Sequence, residues 1–134
     1  MKRIALFTLS LFALAGCGER GQEGTLKKVK DSGAITIGHR DASDPFSYYD
    51  DKQQPIGYAM DLCMKIVDAV KAEVKMPALR VNYQLVTSAN RIPLMANGTI
   101  DLECGSTTNN IARQEQVWFA ITHFLTPNRW AAKK

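Results

Sequence analysis

The chain has 134 residues, 46% hydrophobic and 22% charged, which suits one folded domain and excludes a disordered or low-complexity protein. The formal charge of +4 includes Lys2 and Arg3, and the other Lys and Arg residues are scattered without a basic run, so no nucleic-acid partner is expected. With two histidines, His39 and His123, and no CxxC or HxxxH spacing, neither a metal site nor a cofactor is expected.

Lys2 and Arg3 precede an apolar run, Ile4 to Leu14, too short to span a bilayer but suited to a secretory signal. The run closes in Leu14-Ala15-Gly16-Cys17, which resembles a bacterial lipobox. Residues 1–16 are therefore expected to be a lipoprotein signal peptide, with Cys17 carrying the lipid. Ordinary cleavage after Ala15 is the alternative. Gly18, Gly21 and Gly24 make residues 17–24 a flexible tether.

Thr25 is placed to cap a short helix in which Leu26 and Val29 share a face, and Gly33 suits its end. Ala34 to Gly38 is predicted as the first strand, with Ile35 and Ile37 on one face and His39 and Arg40 in the turn beyond. Asp44-Pro45-Phe46 breaks regularity, and Asp50-Asp51-Lys52 with Pro55-Ile56-Gly57 reads as a hairpin or loop excursion. Met60, Cys63, Met64, Val67, Val70 and Val74 follow helical spacing until Pro77, and Asp61 sits in the first turn, where a carboxylate meets the positive helix end. Met60 and Met64 are core residues on this reading.

Leu79, Val81, Tyr83 and Leu85 alternate with polar residues as a second strand with one face toward a core. Ser88 is read as the cap of a helix carrying Arg91, Leu94 and Met95, stopped at Asn97-Gly98. Ile100, Leu102 and Cys104 form a third strand, leading into Gly105-Ser106-Thr107-Thr108-Asn109-Asn110. The end of the chain, with Phe119, Ile121, Phe124 and Trp130, reads as extended and interrupted by Pro127. Strands alternating with helices predict an α/β fold with a mainly parallel sheet covered by helices on both faces.

In such a sheet, ligands lie beyond the carboxyl ends of the strands. Arg40, Ser88 with Arg91, and Ser106, Thr108 with Arg113 fall there after three successive strands, which describes a small-anion site. A planar guanidinium meets both oxygens of a carboxylate at once. Each such bond contributes about 1.5 to 3 kcal/mol, against roughly 8 kcal/mol for a micromolar ligand. Two or three arginines with hydroxyl and helix-terminal N–H donors suffice for an anion with two carboxylates. Phe46, Tyr48 and Tyr49 serve equally as an aromatic wall over a bound aliphatic chain or as core. Ser106 and Thr108 follow a glycine without a GxxxxGK[ST] pattern, so a nucleotide is not expected. Cys63 and Cys104 could pair, or each could be a small buried apolar residue.

Several stretches carry a family resemblance: Gly38-His39-Arg40, Pro45-Phe46-Ser47-Tyr48-Tyr49-Asp50, Thr87-Ser88-Ala89-Asn90-Arg91-Ile92-Pro93-Leu94, Asn97-Gly98-Thr99, and Glu103-Cys104-Gly105-Ser106-Thr107-Thr108-Asn109-Asn110 with Arg113-Gln114. From about Thr25 onward the chain resembles the extracytoplasmic solute-binding proteins of polar amino-acid ABC importers, especially the glutamate/aspartate binders. The resemblance implies a type II periplasmic-binding-protein-like lobe, incomplete here, spanning residues 25–120, with residues 121–134 as the first crossover strand toward a second lobe. It implies that Ser106, Thr108 and Arg113 clamp the α-carboxylate of an acidic amino acid while Arg40, Ser88 and Arg91 receive its side-chain carboxylate. It also implies an ABC permease as partner, a monomer, a periplasmic or extracytoplasmic location, and weaker binding than in a two-lobed homologue. In the acidic binders Cys104 resembles a position that pairs with a cysteine of the second lobe, which implies no disulfide for it in this chain. The competing readings are a ligand-sensing module, an inactive remnant, or an enzyme such as a dehydratase, for which Asp44, Asp50 and Glu103 are the candidate acids.

Overall fold

The computed structural model describes residues 24–127 and 131–133. The expected signal peptide, Cys17, most of the tether and Trp130 lie outside them.

Helix α1 (Thr25–Ser32) begins one residue earlier than a Thr25 cap would place it. Gly24 occupies the cap position, its carbonyl accepting from the Lys27 and Lys28 N–H groups, and no side chain caps the helix. Val29 is buried while Leu26 stays half exposed. The helix ends as expected at Gly33, whose φ of 65° is the left-handed conformation that glycine adopts without a Cβ clash. Strand β1 (Ala34–His39) follows, running one residue beyond the expected end. His39 is a buried strand residue rather than a turn residue, its ring set edge-on to Tyr49 at 5.2 Å and to Tyr83 at 6.2 Å.

The stretch read as a hairpin or loop excursion is a small antiparallel sheet of β2 (Ala42–Ser43), β3 (Ser47–Tyr49) and β4 (Pro55–Ile56), with β3 and β4 as the hairpin. Its strands are too short to show alternation in the sequence. It docks against α2 (Tyr58–Glu73) through Gly57, where a Cβ would lie 2.6 Å from the Phe46 carbonyl oxygen. That close approach, at a φ of 124°, lets the Tyr58 and Ala59 N–H groups bond the Pro45 and Phe46 carbonyls at 2.9 Å each. A side chain at position 57 would push the hairpin off the helix.

Met60, Cys63 and Val67 of α2 are buried, as their spacing predicts. The helix stops before Pro77, with Val74 at its cap and Lys75 at a φ of 57°. Strand β5 (Arg80–Leu85), helix α3 (Arg91–Ala96), strand β6 (Leu102–Cys104) and helix α4 (Ile111–Gln114) complete the described elements. The main sheet has the order β5-β1-β6, all parallel, with Ile37 opposite both Tyr83 and Leu102. The chain leaves β1 toward β5 and then crosses back over β1 to β6, so the carboxyl end of β1 is a topological switch point.

One core holds the molecule together: Val29, Ile35, Ile37, Met60, Cys63, Val67, Leu79 and Cys104, joining α1 and α2 to one sheet face. Here Cys63 of α2 is bonded to Cys104 of β6, with Cα atoms 6.2 Å apart. This corrects the expectation that Cys104 has no partner in the chain: the face of β6 that carries Cys104 is the face α2 covers. Tyr83 and Leu85 also depart from expectation, being partly exposed on the edge strand β5 rather than buried. Asp101 ties α1 to the start of β6, accepting from the Thr36 N–H at 2.8 Å and pairing with Lys28 at 2.7 Å.

Residues 117–127, expected to be extended, form no strand. They lean back on the second sheet, with Phe124 edge-on to Phe46 at 4.9 Å and the Tyr58 hydroxyl donating to the His123 carbonyl at 3.3 Å. Phe46 thus belongs to an aromatic cluster with Tyr58 and Phe124.

Candidate ligand-binding site

Arg40 follows β1 directly, and the second sheet fixes its backbone. The fully buried Ser47 of β3 accepts from the Arg40 N–H at 2.9 Å and donates to its carbonyl at 3.4 Å. Sequence reasoning passed over Ser47, because a serine in a two-sided loop carries no pattern. With its backbone clamped, Arg40 reaches across the strand ends and donates from Nη1 to Ser88 Oγ at 3.0 Å.

Ser88 is free for this role because it does not cap α3, a correction to the expected cap. Asn90 holds the cap position without a side-chain cap bond, and the turn before it is closed by Thr87 Oγ1 accepting from the Asn90 N–H at 3.2 Å and Asn90 Oδ1 accepting from the Thr87 N–H at 2.7 Å. This reciprocal pair has the pattern of a capping box, set in the turn that leads into α3. It starts the turn that delivers Arg91 as the first residue of α3, where the side chain is only 6% exposed.

Ser106, Thr108 and Arg113 lie in the loop after β6 and in α4. Arg113 Nη1 donates to the Thr108 carbonyl at 2.7 Å, and Ser106 Oγ donates to Ser43 Oγ of β2 at 3.3 Å. Ser43 is a second residue the sequence did not single out. Asn110 caps α4, accepting from the Arg113 N–H at 3.0 Å, so the helix-start donors expected to face a ligand at both α3 and α4 are partly occupied by side chains.

The three arginines share one electrostatic neighbourhood. Burial lowers the Arg91 pKa, the Glu103 carboxylate raises it, and the charges of Arg113 and Arg40 lower it further. Glu103 shows the mirror image. Burial pushes its carboxyl above the usual 4.5, and this outweighs the Thr107 hydroxyl and the nearby Arg91, Arg40 and Arg113 charges that favour the anion. No ion pair within 4 Å joins Glu103 to any of the three among the described residues. Among the described residues five buried side-chain atoms lack a hydrogen-bond partner: Arg40 Nε, Arg91 Nε, Arg91 Nη1, Glu103 Oε1 and Thr107 Oγ1. All five belong to this one rim. Buried polar groups are ordinarily paired, so their concentration here marks the rim as the polar part of the sheet end.

The model of the bacterial extracellular solute-binding proteins, family 3, matches residues 35–134. The chain belongs to that family. It is 57% identical over 112 residues to the L-glutamate/L-aspartate-binding protein of Pseudomonas aeruginosa, covering 83% of this chain and 37% of that one. To the glutamate/aspartate import solute-binding protein of Escherichia coli it is 50% identical over 110 residues, covering 82% of this chain and 36% of the relative. The chain therefore spans little more than a third of the length of these relatives. Among solved structures, the solute receptor for L-cysteine of Neisseria gonorrhoeae matches with a TM-score of 0.62 at 26% identity, over 72% of this chain and 38% of that one. A mutant of the arginine-bound form of domain 1 from TmArgBP matches with a TM-score of 0.63 at 20% identity, covering 74% of this chain and 71% of that domain. The α/β fold with its parallel sheet is thus a partial lobe of the type II periplasmic-binding-protein-like kind.

Proposed function

We propose that this chain carries the carboxylate-recognising face of an extracytoplasmic binder of acidic amino acids, glutamate or aspartate, which hands its ligand to an ABC permease. One observation carries the reading: guanidinium nitrogens of Arg40 and Arg91 lack partners beyond the carboxyl ends of β1 and β5, where Arg40 also meets Ser88. A dicarboxylate at this rim is the anion that such guanidinium groups suit. In this reading Arg40, Ser88 and Arg91 take the side-chain carboxylate, and Ser106, Thr108 and Arg113 take the α-carboxylate. The glutamate/aspartate-binding relatives from Pseudomonas aeruginosa and Escherichia coli support the ligand class.

The same reading takes the chain as a monomer without cofactor, held at a membrane by a lipid on Cys17 after removal of residues 1–16, with residues 17–24 as tether, 25–120 as the lobe and 121–134 as the crossover. It is a binder and not an enzyme. Of the three candidate acids, Asp50 is engaged in its own turn, accepting from the Lys52 and Gln54 N–H groups at 2.9 and 2.8 Å, and Asp44 is exposed. Glu103 alone stands at the rim, without the second acid or base that proton transfer needs.

Calorimetry with glutamate, aspartate and glutamine tests the reading. Binding of the two acidic amino acids in preference to glutamine, weakened at least about tenfold in Arg91→Lys, is expected, because an ammonium cannot reproduce the guanidinium fork. Equal binding of glutamine and glutamate would contradict it.

A further inference from the structure

Glu103 is the acid that the anion-binding reading leaves without a use. Along β6 it alternates with Cys104, so it points away from the core that Cys63 and Cys104 share and toward the side of the sheet from which Arg91 comes. Across the ladder it faces Gly38, which presents no side chain. Its Oε1 lies 2.7 Å from where a Cβ on Gly105 would be, and the stem of Arg40 lies 3.0 Å from the same point. The carboxylate therefore sits beneath the rim beside the Arg40 stem, with Oε1 buried and the Thr107 hydroxyl as its neighbour.

Three guanidinium groups attract carboxylates but equally repel an ammonium. A rim of that kind, alone, prefers a plain dicarboxylate to an amino-bearing one. Glu103 is the acid whose charge acts on Arg91, and it also feels Arg40 and Arg113. We propose that Glu103 is a specificity-determining residue whose carboxylate, set beneath the arginine rim and ionised when the rim is occupied, makes the site favour an amino dicarboxylate over the same dicarboxylate without its ammonium. It acts through its field and not by contact: it offsets one of three positive charges, attracts the ligand ammonium and opposes a second full anionic charge. The inference rests on the acidic amino acid reading above and names what that site rejects.

The test compares glutamate with glutarate, which differ by the ammonium group, by calorimetry on the full chain at low ionic strength. The wild type is expected to favour glutamate, and Glu103→Gln to shrink that preference about tenfold, the size expected for one unit charge at this range in a partly screened site. Glu103→Asp, which keeps the charge, is expected to retain it. A merely structural role would weaken both ligands together and leave their ratio unchanged, and that result overturns the proposal. Should Glu103→Gln fail to fold, the wild-type ratio decides, since equal affinity for glutarate and glutamate overturns the proposal without any variant. A wild type that binds neither acid contradicts the anion-binding reading itself, and the inference with it. Binding of both with an unchanged ratio in Glu103→Gln removes the inference alone.

Discussion

Arg40 donates from Nη1 to Ser88 Oγ at 3.0 Å, joining the end of β1 to the turn that follows β5. Since Thr87 and Asn90 close the turn before α3 between themselves, this bond is what Ser88 contributes. Ser88→Ala is expected to leave stability within about 0.5 kcal/mol of wild type, as for exposed substitutions, while lowering glutamate affinity. Thr87→Ala removes the hydroxyl that closes that turn and is expected to cost about 1 kcal/mol. Urea denaturation of both variants, with calorimetry, separates the two roles. A larger stability loss in Ser88→Ala than in Thr87→Ala would restore Ser88 as the cap.

Arg91 is buried with two unpartnered nitrogens. If its guanidinium serves the proposed site, it does so at a cost to folding. Arg91→Met is expected to abolish acidic amino acid binding, and, because Arg91 also favours the Glu103 anion, it is the double variant Arg91→Met with Glu103→Gln that is expected to raise the ligand-free stability by about 1 kcal/mol or more. Thermal unfolding without ligand checks it. A lower melting temperature in the double variant than in the wild type would mean that the charged groups stabilise the fold.

The Cys63–Cys104 bond closes a loop across a sequence separation of 41 and anchors β6, from whose end Ser106 and Thr108 follow. The chain-entropy model gives about 4 kcal/mol for a loop of this size. Replacing both cysteines by alanine is expected to remove a comparable amount in urea denaturation, and a reductant is expected to lower the wild type toward the double variant. Insensitivity of the wild type to reductant would mean that the bond is not formed.

Glu103 gives the protein a pH signature. Burial holds its proton more tightly in the folded state than in the unfolded one, so the folded pKa lies above the usual 4.5. Stability linked to a raised carboxyl pKa is present in full at low pH and is lost as pH rises through the folded value. Relative to Glu103→Gln, the ligand-free wild type is therefore expected to lose ground as pH rises from about 4 to neutral. A constant difference between the two proteins across that range would place Glu103 in a solvated environment.

Much of this arrangement was legible in the chain. Ile35 and Ile37, and Met60 with Cys63 and Val67, repeat at intervals set by strand and helix geometry, so β1 and α2 were readable, and with them the sheet end where Arg40, Arg91 and Arg113 gather. Elements of two or three residues carry no period, so β2, β3 and β4 showed only as a hairpin or loop excursion, and Ser47 and Ser43 were passed over. Thr87 and Ser88 are both competent caps by type, yet Asn90 holds the cap position, and its reciprocal bond with Thr87 closes the turn before it. The Cys63–Cys104 pairing depends on which face of β6 meets α2, a tertiary relation that spacing leaves open and that the family resemblance pointed away from. Tyr83 and Leu85 alternate like core residues, yet β5 lies at the sheet edge, where both stay partly exposed even though Tyr83 meets the His39 ring and Met64.

The most direct test of the shared rim is nuclear magnetic resonance of the arginine Nε–Hε groups during a glutamate titration. Arg80 opens β5 at the opposite end of the strand from the rim and serves as the internal control. The signals of Arg40, Arg91 and Arg113 are predicted to move together along one binding curve while that of Arg80 stays still. Movement of only one of the three, or shifts in Arg80 equal to theirs, would contradict a common carboxylate site.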